Sequence, residues 1–222
     1  MKTLAVISRK GGAGKTTLAV NLAITAHLAG LKIMLADIDP QRSASDSLRA
    51  RTGDGPLLAE INAGKLFSTQ TQARHGDFDA LVVDTPAAPE TDVLQAINFA
   101  DLCVLVCRPT FLDIASVVRS AEAVRRLGKK GVIVLSQAPS RRNGVEPPAV
   151  IKAAEALRFT GMPLAPIGLR ARAAFQQSVA HGRSVCEWEP GSAAAEEISR
   201  LWDLIAPMLL GDQGKTLAAN QA

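Results

Sequence analysis

The sequence predicts an α/β fold: one domain with a mostly parallel twisted sheet and helices on both faces. Short apolar runs recur along the chain with helix-length segments between them. Those runs are nearly continuous in apolar residues rather than alternating, as strands buried on both faces are. The length, 222 residues, suits one sizeable core and is short for two. A β-α-β-α order then sends the connecting helices to both sides of the sheet.

In chain order, the first strand is "TLAVIS" (3–8). Its following helix opens at Lys15 or Thr16 and runs to about Gly30, where glycine is a natural stop. "KIMLADID" (32–39), "DALVVDTP" (79–86), "LCVLVC" (102–107) and "GVIVLS" (131–136) are the next strands, and "PLAPI" (163–167) is a sixth. Helices are expected over 90–99, 112–127, 148–160, 171–181 and 192–209. "RARTGDGPLLAEINAGK" (49–65) is glycine-rich and fits neither period, while "SQAPSRRNGVEPP" (136–148) reads as an exposed loop because Pro, Ser, Asn and Gly break both. The domain is expected to span 1–210, with 211–222 a disordered tail.

Composition narrows the function. Hydrophobic residues at 47% and charged residues at 21% describe an ordinary globular chain rather than a disordered one. The longest apolar runs are strand-sized, far short of the ~20 residues that span a bilayer. The N-terminus lacks the apolar stretch and cleavage site of a secretory signal, which points to the cytoplasm. Cys103, Cys107 and Cys186 are odd in number and suit no disulfide framework, so they read as small buried hydrophobes. A formal charge of +4 is compatible with a polyanionic partner.

"SRKGGAGKTT" (8–17) nearly fits the phosphate-binding pattern GxxxxGK[ST], but its first glycine is replaced by Arg9 and a second lysine, Lys10, follows. A strand, a glycine-rich turn and a helix are the context such a loop requires: Gly11, Gly12, Ala13 and Gly14 turn backbone N–H groups toward an anion at the helix N-terminus. Lys15 should reach the β- and γ-phosphates, Thr17 should join the cradle, and the Thr16 hydroxyl should ligate Mg²⁺. "LADIDP" and "VVDTP" each end an apolar run with an Asp, at the carboxyl ends of strands where ligands of open α/β sheets bind. Asp84 is then the second Mg²⁺ residue, acting through a water. Asp37 and Asp39 flank Ile38 and point to one face of an extended strand. Asp39, beside Pro40, is placed to orient an attacking water, and Asp37 is read either as a cap on nearby backbone or as catalytic.

"KGGAGKTT", "DIDPQ" and "VVDTP" resemble the deviant Walker motifs of the ParA/MinD ATPases, and the resemblance extends over about residues 1–210. "VCRPTFLDIASV" and "RARAAFQQSVAHGRSVCEWEPGSAAAEEI" resemble the segment after the fourth strand and the C-terminal region of the family's small members. It implies a P-loop NTPase domain that uses ATP and Mg²⁺ and forms a homodimer in the ATP state. Lys10 would then reach a phosphate held by the other subunit, much as an arginine finger does. Hydrolysis would release that grip, making the dimer a switch. Where relatives often carry Asn or Thr, this chain has Ser136 and Gln137, either of which can hydrogen-bond the base edge.

The resemblance also implies nonspecific DNA as a partner, met by basic residues on C-terminal helices; Arg170 and Arg172 are the candidates. A ParB-like or cargo-adaptor protein would stimulate hydrolysis, and the site of action would be the nucleoid. The membrane-binding branch of the family uses a basic amphipathic C-terminal helix. Here Glu196, Glu197 and Asp203 sit opposite the apolar face and Pro207 interrupts the segment, so that helix is expected to pack on the domain. Metabolic enzymes with a similar loop remain an alternative.

Overall fold

The computed structural model describes residues 1–211. Six parallel strands form one sheet: β1 (Lys2–Ile7), β2 (Ile33–Asp37), β3 (Leu57–Glu60), β4 (Ala80–Asp84), β5 (Leu102–Cys107) and β6 (Lys130–Leu135), in the order β3-β2-β4-β1-β5-β6. Side chains alternate between two cores. Leu4 and Val6 of β1 join the core on one face, and Ala5 and Ile7 the core on the other.

The first core is roofed by α1 (Lys15–Leu28), α2 (Ser43–Arg49), α7 (Ala173–Ala180), α8 (Val185–Trp188) and α9 (Ala193–Leu210). The second is roofed by α3 (Leu66–His75), α4 (Glu90–Phe99), α5 (Phe111–Arg126) and α6 (Pro148–Leu157). This is the predicted architecture, with helices on both faces of a parallel sheet. Among the described residues, no helix is long and apolar enough to cross a membrane.

Two predicted features differ. "PLAPI" is not a strand; it makes one parallel bridge, Ile133 with Leu164, because Pro163 and Pro166 have no N–H to continue a ladder. The sixth strand is instead Leu57–Glu60, inside the segment that fitted neither period, and it forms a short edge beside β2. Pro207, expected to interrupt the last helix, lies within α9, which continues to Leu210. A proline this near the end forfeits one intrahelical hydrogen bond at a turn already short of partners. The apolar face of α9, with Ile198, Leu201, Trp202, Ile205 and Leu209, is buried against the first core.

Cys103 and Cys107 are buried in β5, and burial pushes both thiols up to about 12, which leaves them unreactive. The expected disordered tail lies, beyond Gly211, outside the described residues.

Candidate functional site

The carboxyl ends of β1, β2 and β4 converge on one cleft of 640 Å³, lined by the loop from Gly11 to Thr17 and by Asp39, Pro40, Gln41 and Ser43. The register sets the pieces side by side: Val6 of β1 and Asp37 of β2 both pair with Asp84 of β4. The loop leaves β1 and enters α1 through Gly12 (φ 68°) and Gly14 (φ 93°), left-handed positions that favour glycine. Gly14 gives α1 no side-chain cap, so the helix's first N–H groups are left for an anion.

Lys15 lies almost wholly buried beneath the loop, its ammonium 3.4 Å from the Lys10 carbonyl. Burial pulls it below the ordinary lysine range, against the opposing pull of Asp84 and Asp39. A phosphate would replace the solvation that burial has removed. The Thr16 hydroxyl donates to Asp84 Oδ2 at 2.7 Å, while Asp84 Oδ1 is buried with no partner. Burial raises the Asp84 carboxyl to about 7, against the Thr16 hydrogen bond and Lys15 and with added push from Asp37 and Asp39.

An orphaned buried carboxylate oxygen beside a hydroxyl is a hard-oxygen pair that fits Mg²⁺. Among the described residues there is no cluster of three or more His, Cys, Asp or Glu able to hold a metal alone. The pair therefore fits an ion that arrives with a nucleotide and keeps water ligands, as Mg²⁺ does.

Asp37 and Asp39 part company. Asp37 is buried and accepts the Asp39 N–H at 3.0 Å on Oδ1 and the Ser45 N–H at 2.9 Å and hydroxyl at 2.7 Å on Oδ2, so both its oxygens are engaged in capping. Strand β2 ends there, and the chain turns rather than continuing extended to Asp39. Asp39 is half-buried and faces the cleft. Lys10 does not line that cleft, although its backbone carbonyl touches Lys15.

Ser136 and Gln137 brace the loop: the Ser136 hydroxyl donates to the Ala13 carbonyl at 2.6 Å and Gln137 Nε2 to the Gly12 carbonyl at 2.7 Å. Both also line an adjoining cleft of 410 Å³ whose other walls include Leu169, Phe175 and Gln176. Those three were not sequence candidates. Only the helical pattern of α7 was visible, and nothing in it says that its first turn meets the loop. Arg170 and Arg172 edge the same cleft, and both are ion-paired, Arg170 with Glu146 at 2.6 Å and Arg172 with Glu197 at 2.6 Å. Arg170 is only 11% exposed, whereas Arg141 (62%) and Arg200 (61%) stand open on a neighbouring cleft that all four arginines line.

A parallel sheet with a glycine-rich loop at the N-terminus of α1, a buried lysine and a Thr–Asp pair defines a P-loop nucleotide-binding enzyme. The profile of the CobQ/CobB/MinD/ParA nucleotide binding domain matches residues 4–185, and the chain belongs to that family as one of its ATPases. It is 32% identical over 213 residues to the maintenance of carboxysome distribution protein A of Gloeobacter kilaueensis, spanning 90% of this chain and 95% of that one. Its counterpart in Halothiobacillus neapolitanus is 26% identical over 92% of this chain and 96% of its own. In fold, the chain is similar to the septum site-determining protein MinD of Pyrococcus horikoshii, complexed with Mg-ADP (TM-score 0.76, 16% identity, 98% of each chain).

Proposed function

We propose that this ATPase positions a cargo by an ATP-driven cycle: it dimerises with ATP sandwiched between subunits, rides on nonspecific DNA, and is released when a partner stimulates hydrolysis. The observation that carries the reading is the placement of Lys10. Lys15 lines the chain's own cleft, whereas Lys10, in the same loop, does not line it. A cation so placed suits a nucleotide presented by a second subunit. The similarity over nearly full length to two carboxysome-distribution proteins supports a cargo-positioning role rather than a metabolic one. Plasmid or chromosome segregation is the same cycle with another cargo.

In this reading Lys15 and the loop N–H groups hold the phosphates, and Thr16 and Asp84 hold Mg²⁺, which when bound neutralises charge on the β- and γ-oxygens. Asp39 orients the attacking water. Lys10 offsets charge on the γ-phosphate of the partner's nucleotide, and its grip ends when that phosphate leaves. Adenine would occupy the cleft beside Ser136 and Gln137. The DNA surface would be the arginine-lined cleft, with Arg141 and Arg200 outermost and Arg170 and Arg172 held behind them by Glu146 and Glu197. Such contacts read no bases. The protein would work in the cytoplasm, on the nucleoid.

Retention on nonspecific duplex DNA at several salt concentrations tests this reading, with ATP, ADP or no nucleotide. Binding that needs ATP, weakens with salt and is lost on Lys10→Ala supports it. Retention indifferent to nucleotide contradicts it.

A further inference from the structure

We infer that Arg42 is a positioning residue for hydrolysis: its side chain clamps the end of β2 from behind and so fixes the turn that presents Asp39 to the cleft. The inference rests on the reading of Asp39 as the water-orienting carboxylate.

The turn from 37 to 42 is closed by its own backbone. The Asp39 N–H donates to Asp37 Oδ1 at 3.0 Å, the Gln41 N–H to Asp39 Oδ1 at 2.9 Å, and the Arg42 N–H to the Asp39 carbonyl at 3.0 Å. Closure puts Arg42 at φ 56°, a left-handed conformation that glycine or asparagine adopts more readily than arginine. Something the arginine does with its side chain must compensate.

Its Nη1 donates to two backbone carbonyls at once, Asp37 at 2.5 Å and Ile61 at 2.7 Å. The Asp37 carbonyl also accepts the Ile61 N–H at 3.1 Å, so one guanidinium straddles the point where the chain after β3 rejoins the end of β2. Among the described residues no carboxylate pairs with Arg42, and its charge is set against carbonyl dipoles alone.

The geometry is two-sided. Asp39, Pro40, Gln41 and Ser43 line the nucleotide cleft, and Arg42 does not. Its backbone closes the turn on one side and its side chain pins the strand on the other. Of Asp39's oxygens, Oδ1 is held by Gln41, and no described residue bonds Oδ2, which is left for a water. Without the clamp, the turn would still close but could shift relative to the phosphate loop. Misplacement on the ångström scale costs catalysis heavily while leaving nucleotide contacts intact. Lysine is a poor substitute, because its flexible, strongly hydrated ammonium lacks the planar group that fixes both Nη1 hydrogens on the two carbonyls.

The test compares Arg42→Gly, Arg42→Lys and Asp39→Asn for ATP affinity, single-turnover hydrolysis and melting temperature. Glycine accepts the left-handed backbone without strain, so a slower rate reports the lost side chain rather than a distorted turn. The inference expects Arg42→Gly to hydrolyse about tenfold to a hundredfold more slowly while ATP affinity stays within about twofold, with Arg42→Lys falling between it and the parent. Arg42→Gly hydrolysing at the parent rate overturns the clamp. So does a loss of affinity and melting temperature in step with rate, which marks a purely structural residue. Should Arg42→Gly fail to fold, Arg42→Lys decides: the parent rate overturns the clamp and a slower rate at unchanged affinity supports it. Asp39→Asn separates the two levels. If it keeps the parent rate, the Asp39 reading fails; if it is inactive while both Arg42 variants hydrolyse normally, the clamp alone fails.

Discussion

The two adjoining clefts in which the proposed function seats ATP are built differently. At the phosphate end, the ends of adjacent strands bring Lys15, Thr16 and Asp39 to the lining of one 640 Å³ space with Asp84 buried behind Thr16, and each lies in or beside a short contiguous motif. At the other end, the 410 Å³ cleft is assembled from residues 136–137 and 169–176, brought together by irregular backbone along the edge of β6. Regular strands in register fix atoms closely and leave a compact signature. An edge patched from loops carries walls that can change without disturbing the sheet. The phosphate end should therefore govern whether hydrolysis occurs, and the far end which base is chosen.

The sharpest way to break that division is Lys15→Ala, which should lower hydrolysis by about a hundredfold or more, the scale seen when a preorganised charge on the reacting group is removed. Phosphate release measures it; an undiminished rate would dissolve the distinction. Next is Asp84→Asn, which keeps the hydrogen bond from Thr16 but removes the charge facing the cation. Half-maximal Mg²⁺ for hydrolysis should rise about tenfold to a hundredfold. A Mg²⁺ titration at saturating ATP measures it.

At the far end a smaller effect of another kind is expected. Gln176→Ala should raise KM for ATP about fivefold with kcat unchanged, if Gln176, which lines the cleft, gives the base one hydrogen bond made equally in ground and transition states. A fall in kcat would mean that the two ends are not separable.

The same division explains what was legible in the sequence. Buried strands on both faces announce themselves as apolar runs, so β1, β2, β4, β5 and β6 and the phosphate loop after β1 could be read directly. β3 could not, because a four-residue edge strand with an exposed outer side lacks both a full apolar run and clean alternation. Helices α2 and α3 were hidden for a related reason. α2 has seven residues, and α3, "LFSTQTQARH", buries Thr69 and Gln70 beside Leu66 and Ala73, which blurs its apolar stripe. "PLAPI" misled in the opposite sense, with strand-like residues whose prolines forbid the ladder.

Among site residues, Asp37 could be read as either a backbone cap or catalytic, and the choice, like the contacts of Arg42, depends on where the chain turns after β2. Basic residues were visible, but their pairing was not. Arg170 looks like a free cation in sequence and is held by Glu146 in the fold.

That pairing gives the smallest effect. Hydrogen bonds from Arg170, aided by Arg141 and opposed by burial, hold the Glu146 carboxyl down at about 2, below its ordinary 4.5. A depressed carboxyl stabilises the fold above its unfolded pKa, and that contribution is lost as pH falls toward the folded value. Glu146→Gln should therefore lower the melting temperature at neutral pH, and the gap to the parent should narrow as pH falls from 4.5 toward 2. A gap independent of pH would show that shape, not charge, holds Arg170.

The proposed cycle depends on Lys10 working across a two-subunit site. Sedimentation of the parent and Lys10→Ala with ATP, ADP or no nucleotide tests it most directly, with ATP affinity measured alongside. A dimer is expected only for the parent with ATP, and Lys10→Ala should bind ATP as tightly but stay monomeric. A Lys10→Ala protein that dimerises on ATP like the parent would contradict it.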